Sequence, residues 1–96
     1  VPVDAKLDLK AAATALGAKK ISLADRALAA TRTGYVPGGI SPLGQKKPLP
    51  TALDASALVH ESIFVSGGRR GLDVELAGAD LAALTQAVIA ELAVRA

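Results

Sequence analysis

The chain has 96 residues, an apolar half (51%) dominated by alanine, only two aromatic side chains (Tyr35 and Phe64), no cysteine and a formal net charge of +2. A chain of this size buries only about 60–65% of its extended surface, so small side chains leave it a thin core. The mild basicity permits a polyanionic partner without requiring one, the scarcity of aromatics argues against single-strand readers that stack bases, and the lack of cysteine excludes disulfides, thiolate metal sites and cysteine nucleophiles.

Val1 to Ala5 reads as the end of an extended segment, with Val1 and Val3 on one face across Pro2. Asp8 is placed to cap a helix over Leu9–Leu16. Within it Leu9, Ala12, Ala13 and Leu16 recur at the i, i+3, i+4, i+7 spacing of one buried face, and Gly17 is a natural stop. Lys19 and Lys20 follow, and the alternation of Ile21 and Leu23 predicts a short strand. Asp25 caps a second short helix that runs to about Ala30 and ends near Gly34.

Thr33 to Pro50 (TGYVPGGISPLGQKKPLP) comes next and holds four of the nine glycines, four of the five prolines and the only tyrosine. The prolines fix φ and cannot donate, so the segment is neither a long helix nor a central strand. Gly38 and Gly39 let a ligand approach the main chain. A loop stiff in places and bare in others is either a binding loop or an elaborate turn.

Thr51 to Asp54 predicts a short strand, and Ala55 to His60 is ambiguous. Ser62 to Ser66 (SIFVS) has the β-branched and aromatic content of a strand. Gly67 to Gly71 (GGRRG) reads as a tight turn, and Leu72 to Leu76 as the partner strand of an antiparallel hairpin. Leu72, Val74 and Leu76 share one face of it, Asp73 and Glu75 the other. From about Asp80 to Val94 the spacing of Leu81, Leu84, Val88 and Leu92 predicts the longest helix, with Asp80 favourable in its first turn. Helices and hairpins mix without regular βαβ alternation, which predicts a single α+β domain.

Several stretches invite chemical readings. Gly39 to Lys46 resembles a phosphate loop, but Gln45 stands where lysine should follow the last glycine, and Pro48 and Pro50 discourage the helix that must come next. Asp54, Ser56 and His60 can be drawn as a triad, although triads are defined by geometry and a lone histidine is ordinarily a surface or boundary residue. With one histidine, a zinc site would need carboxylate ligands, and no such cluster shows. Asp73 and Glu75 form either a solvated strand face or a carboxylate site for a ligand's amine or hydroxyl; Arg69 and Arg70 are either plain turn charges or phosphate contacts.

TGYVPGGISPLGQKKPLPT, followed by IFVSGGRRGLDVEL, strongly resembles the YbaK/EbsC family of aminoacyl-tRNA deacylases, relatives of the editing insertion domain of prolyl-tRNA synthetase. LDLKAAATALGAKK and the segment after Gly78 also fit, so the resemblance covers essentially the whole chain. It implies a YbaK-type editing fold, with helices packed on a mixed curved sheet. It implies a cytoplasmic hydrolase that removes a wrong amino acid, typically cysteine, from tRNA(Pro) without metal or cofactor. An alanyl-tRNA(Pro) deacylase and an inert tRNA-binding module are the alternatives. The GxxxP loop of the family matches Gly38, Gly39, Ile40, Ser41 and Pro42, which would hold the tRNA 3′ end through backbone contacts. Ser66 and Asp73 match pocket positions at the aminoacyl group, Gly67 and Gly68 would allow close approach, and Lys46, Lys47, Arg69 and Arg70 would meet phosphates. In that family the substrate's own thiol attacks its ester, so positioning replaces a protein nucleophile.

The family's functional lysine lies on a strand upstream of the segment matched by Val1–Lys10, and Lys10, Lys19 and Lys20 do not match its context. The expectation is therefore an N-terminally truncated domain whose open sheet edges favour a homodimer and whose deacylase activity alone is low. Prolyl-tRNA synthetase is the further partner implied.

Overall fold

A computed structural model describes residues 1–36, 39–45 and 49–94. Its elements in chain order are β1 (Lys6–Leu7), α1 (Leu9–Leu16), α2 (Arg26–Thr33), β2 (Ala52–Asp54), a 3₁₀ turn (Ala55–Leu58), β3 (Ile63–Arg69), β4 (Leu72–Leu76), α3 (Gly78–Thr85), β5 (Val88–Ala90) and β6 (Ala93–Val94). Helices and strands mix as expected for an α+β fold. The strands form three two-stranded ladders, antiparallel β1–β6, parallel β2–β5 and antiparallel β3–β4.

Local chemistry explains the first two helices. The Asp8 carboxylate accepts from the Lys10 and Ala11 amides at 3.0 and 3.1 Å, and Gly17 closes α1 in the left-handed conformation at φ 69°. Asp25 and Gly34 repeat the arrangement for α2, with Asp25 Oδ2 accepting from the Leu28 amide. Ala12 and Ala13 bury the inner face of α1, which packs on β5 and β2. Val1 to Ala5 forms a turn rather than a strand end, with the Ala5 amide donating to Pro2 O, and the strand begins at Lys6. Ile21 and Leu23 lie in irregular chain; two alternating residues find no ladder partner there, and Leu23 is exposed.

The largest departure is at the C-terminal end. The expected long helix stops at Thr85, because Gln86 turns left-handed at φ 54° and the Ala87 amide folds back to Ala82 O. The chain then runs as β5 beside β2, in register Ala52↔Val88 through Asp54↔Ala90. The β-branched pair Val88–Ile89 suits that ladder. Of the expected helical stripe, Leu81 and Leu92 are buried, whereas Leu84 and Val88 are largely exposed.

The buried apolar core consists of Ala12, Ala13, Ala57, Leu81 and Leu92 among the described residues. The radius of gyration, 12.9 Å, matches the ~12.5 Å of a compact chain of this length. Yet the accessible surface of 6810 Å² exceeds by about a third the ~5,100 Å² of a compact monomer of 9.6 kDa. The excess reflects apolar side chains left in water, Val3, Leu23, Val59, Phe64 and Leu84 among them, rather than an extended shape.

Candidate functional site

The glycine-rich loop leaves α2 through Gly34 and is held by its own bonds. Ser41 is buried, its Oγ accepts the Leu43 amide at 3.1 Å, and its carbonyl accepts Gln45 Nε2 at 3.0 Å. The buried Ser41 side chain is thereby taken up within the loop and is not offered to a ligand. Tyr35 spans the loop, its hydroxyl donating to Leu43 O at 2.5 Å. Gly38, Lys46 and Lys47, three of the expected contact residues, lie outside the described residues. Leu49 and Pro50 lead into β2, so a helix does not follow the glycines as a phosphate loop requires.

The hairpin supplies the second wall. Gly67 and Gly68 belong to β3, not to the turn, which is confined to Arg70 and Gly71. Pairing runs regularly from Ile63↔Leu76 to Ser66↔Asp73, then shifts so that Arg69 faces Leu72. This bulge leaves Gly67 and Gly68 without facing partners and increases the local twist. Ser66 and Asp73 are direct cross-strand partners, so their side chains stand on one face about 5 Å apart at Cβ. Ser66 is half-buried and its Oγ accepts the Gly68 amide at 3.4 Å; Asp73 is exposed. Phe64 and Glu75 continue the same face, and the Glu75 carboxylate accepts the Ser62 hydroxyl at 2.6 Å.

Loop and hairpin meet through glycine. A Cβ on buried Gly39 would lie 2.9 Å from Arg69 Cα and 3.0 Å from Arg70 N, so any side chain here pushes the loop off the hairpin. Gly68, at φ 102°, lies against the Tyr35 ring, where a Cβ would come within 2.7 Å of Cε1. The structure thus brings Gly39 against Arg69 and Arg70 at the tip of the hairpin, whose strands carry Gly67, Gly68 and the Ser66–Asp73 pair. Ile40 and Pro42 continue the loop away from Gly39; Arg69 and Arg70 are exposed at the hairpin tip.

Two clefts lie elsewhere. One, of 560 Å³, includes Pro42, Leu43, Gln45, Leu49, Leu84 and Gln86 in its lining; it touches the loop but no hairpin residue, and none of its lining groups is titratable. The other, of 390 Å³, is floored by Asp54 and Ser56. In keeping with the reading of His60 as a surface residue, Asp54 is not part of a triad. Its Oδ1 accepts the Leu92 and Ala93 amides at 2.7 and 2.9 Å, and its Oδ2 accepts the Ser56 amide and hydroxyl. The Ser56 hydroxyl bond, aided by the three backbone amides, outweighs burial and lowers the carboxyl from 3.8 to about 2. That carboxylate is a latch between the 3₁₀ turn and β6, and His60 is exposed. The Asp54–Leu92 partnership was hidden from sequence because residues 92–93 read as helix. Among the described residues no group of His, Asp or Glu could hold a metal ion, and no helix is long and apolar enough to cross a membrane.

A small α+β unit with a glycine-backed loop seated on a bulged hairpin, and a serine–aspartate pair beside it, is the architecture these observations define. Residues 1–84 match the aminoacyl-tRNA editing domain family, and the chain belongs to that family. Over 92 residues it is 40% identical to an Enterococcus faecalis protein provisionally named Cys-tRNA(Pro)/Cys-tRNA(Cys) deacylase EbsC, a match that takes in 96% of this chain and 56% of that protein. A crystal structure described, again provisionally, as a trans-editing enzyme for prolyl-tRNA synthetase is 29% identical, with a TM-score of 0.86 over 98% of this chain and 59% of that one. A hypothetical protein of known structure is 26% identical, with a TM-score of 0.87 over 98% of this chain and 62% of that one. The chain thus spans between 56% and 62% of the length of these relatives.

Proposed function

We propose that the protein is an aminoacyl-tRNA deacylase that hydrolyses Cys-tRNA(Pro) in trans, working alongside prolyl-tRNA synthetase. The observation that carries this reading is the seating of Gly39 on Arg69–Arg70, which sets the loop against the tip of the hairpin whose strands bear Ser66 and Asp73. In this family's proteins such a loop and such a pair would need to meet the same ester. The backbone of Gly38 to Pro42 receives the tRNA 3′ end. The Asp73 carboxylate, open to solvent, accepts a charge-assisted bond from the aminoacyl ammonium, and Ser66 Oγ orients the ester beside it. At the bulge the Leu72 side chain lies against Gly67 and the Tyr35 ring against Gly68, so these two glycines shape the wall of the site and the substrate lies beside them. Arg69, Arg70, Lys46 and Lys47 meet phosphates and make binding salt-dependent.

Chemistry then rests on positioning. The cysteinyl thiol attacks its own carbonyl, the bond from that carbonyl to the ribose oxygen breaks, and the ribose oxygen takes the thiol proton. Water opens the cyclic thioester to release cysteine. The name of the Enterococcus faecalis relative, which specifies Cys-tRNA, supports the cysteinyl reading over the alanyl one.

The test compares hydrolysis of Cys-tRNA(Pro), Ala-tRNA(Pro) and Pro-tRNA(Pro) by the complete protein and by its Asp73→Ala variant. Preferential loss of the cysteinyl ester, slowed about 10- to 100-fold by the substitution, is expected. Tight tRNA binding with no ester cleavage would replace the enzyme by a binding module.

A further inference from the structure

We propose that Tyr35 is a positioning residue that fixes the gap between the Gly39–Pro42 backbone and the Ser66–Asp73 pair, a reading that rests on the deacylase assignment. Three contacts converge on this residue. Its amide donates to Thr33 Oγ1 at 3.3 Å, and that buried hydroxyl donates to Ala29 O at 2.8 Å, which anchors Tyr35 to the last turn of α2. Its ring covers Gly68 at the hairpin bulge, where a Cβ would sit 2.7 Å from Cε1 and 3.3 Å from Cδ1. Its hydroxyl holds Leu43 O at 2.5 Å, and a Cβ on Gly44, at φ 61°, would lie only 3.2 Å from the Tyr35 hydroxyl oxygen.

The mechanical consequence follows from the loop's own bonding. The Ser41–Leu43 and Ser41–Gln45 bonds make residues 41–45 one unit. The packing of Gly39 on Arg69 and Arg70 seats the near end of the loop on the hairpin. Tyr35 ties the far end, Leu43, to the same hairpin through Gly68. A shift of that far end changes how residues 40–43 lie against the hairpin. An aromatic ring is stiff, with two side-chain torsions, so it transmits position at little cost in rotamer freedom. The glycines at 44 and 68 are the counterpart on the other side: each vacates the volume that the tyrosine occupies. The hydroxyl is spent on Leu43, so Tyr35 acts through the loop and not on the substrate.

Tyr35→Phe keeps the ring on Gly68 and deletes the bond to Leu43; Tyr35→Leu removes both; Gly68→Ala pushes the ring from the hairpin side. In the intact protein kcat on Cys-tRNA(Pro) should fall about tenfold for Tyr35→Phe and about 100-fold for Tyr35→Leu, since small misplacements of reacting groups cost this much. KM should stay within about twofold, because phosphate contacts dominate tRNA affinity. A second readout needs no activity: amide exchange over Gly39–Gln45 should accelerate in Tyr35→Phe while β3–β4 amides hold their protection. Folded Tyr35→Phe and Gly68→Ala proteins with unchanged kcat and unchanged loop exchange would overturn the proposal. A thermal shift alone, without either effect, would also overturn it by reducing Tyr35 to a packing residue. If the unsubstituted protein cleaved no aminoacyl ester, the deacylase reading would fall, and loop exchange would still decide whether Tyr35 holds the loop.

Discussion

Two polar regions of this molecule solve opposite problems. At the Asp54 latch a carboxylate is 5% exposed, receives two backbone amides from residues 38 and 39 positions downstream, and carries a strongly lowered pKa. At the loop–hairpin junction the contacts are glycine against backbone and glycine against a ring, and the carboxylate, Asp73, stands open. The first region spends its polar group on holding the chain together. The second keeps Asp73 available by letting bare backbone and Tyr35 do the holding. A perturbed carboxylate beside a cleft is a common sign of an active site, yet here it marks structure, because each of its bonds ends on this chain.

Substitutions separate the two regions, and the largest effect should fall on the latch. Asp54→Ala leaves the buried Leu92 amide and the Ala93 amide without their acceptor, and should lower stability by about 3 kcal/mol in chemical denaturation. The same carboxylate makes stability depend on acid. Its pKa is lower folded than unfolded, so its contribution of about 2 kcal/mol is fully present above pH ~4 and lost as pH falls toward about 2; melting temperatures across that window would show it. At the junction, Gly39→Ala forces a Cβ to within 2.9 Å of Arg69 backbone, which should cost about 1–2 kcal/mol and slow deacylation by more than that instability explains. Asp73→Ala should change stability by less than about 0.5 kcal/mol, since its side chain is exposed. Smallest of all, Arg69→Gln should leave stability nearly unchanged, and Arg69→Gln and Arg70→Gln should each reduce the salt slope of tRNA binding by about one.

The same contrast shows what the sequence can and cannot express. Caps are local, so Asp8, Gly17, Asp25 and Gly34 announce α1 and α2 directly. The alternation of β3 and β4 also reads well, but a GGRRG run looks like a turn, and only pairing reveals that Gly67 and Gly68 stay in the strand. Residues 86–94 mislead because Leu81, Leu84, Val88 and Leu92 fit a helical period. The decision against a helix is made by the parallel pairing of Val88 with Ala52, and by a left-handed glutamine that no residue type signals. The motif resemblance singles out the loop, Ser66 and Asp73, but that Ser66 and Asp73 pair across the hairpin and that the Ser41 hydroxyl bonds within its own loop emerge only in three dimensions. Tyr35 is visible in the sequence as a lone tyrosine; its contacts to Leu43 and Gly68 exist only in three dimensions.

The central claim is that the chemistry lies between the loop and the hairpin and not at the buried carboxylate. Single-turnover hydrolysis of Cys-tRNA(Pro) by Asp73→Ala and by Asp54→Asn, each compared at equal folded fraction, tests it directly. The account predicts a fall of about 10- to 100-fold for Asp73→Ala and a near-native rate for the folded Asp54→Asn protein. A native rate in Asp73→Ala together with a collapsed rate in folded Asp54→Asn would contradict it and move the site to the latch.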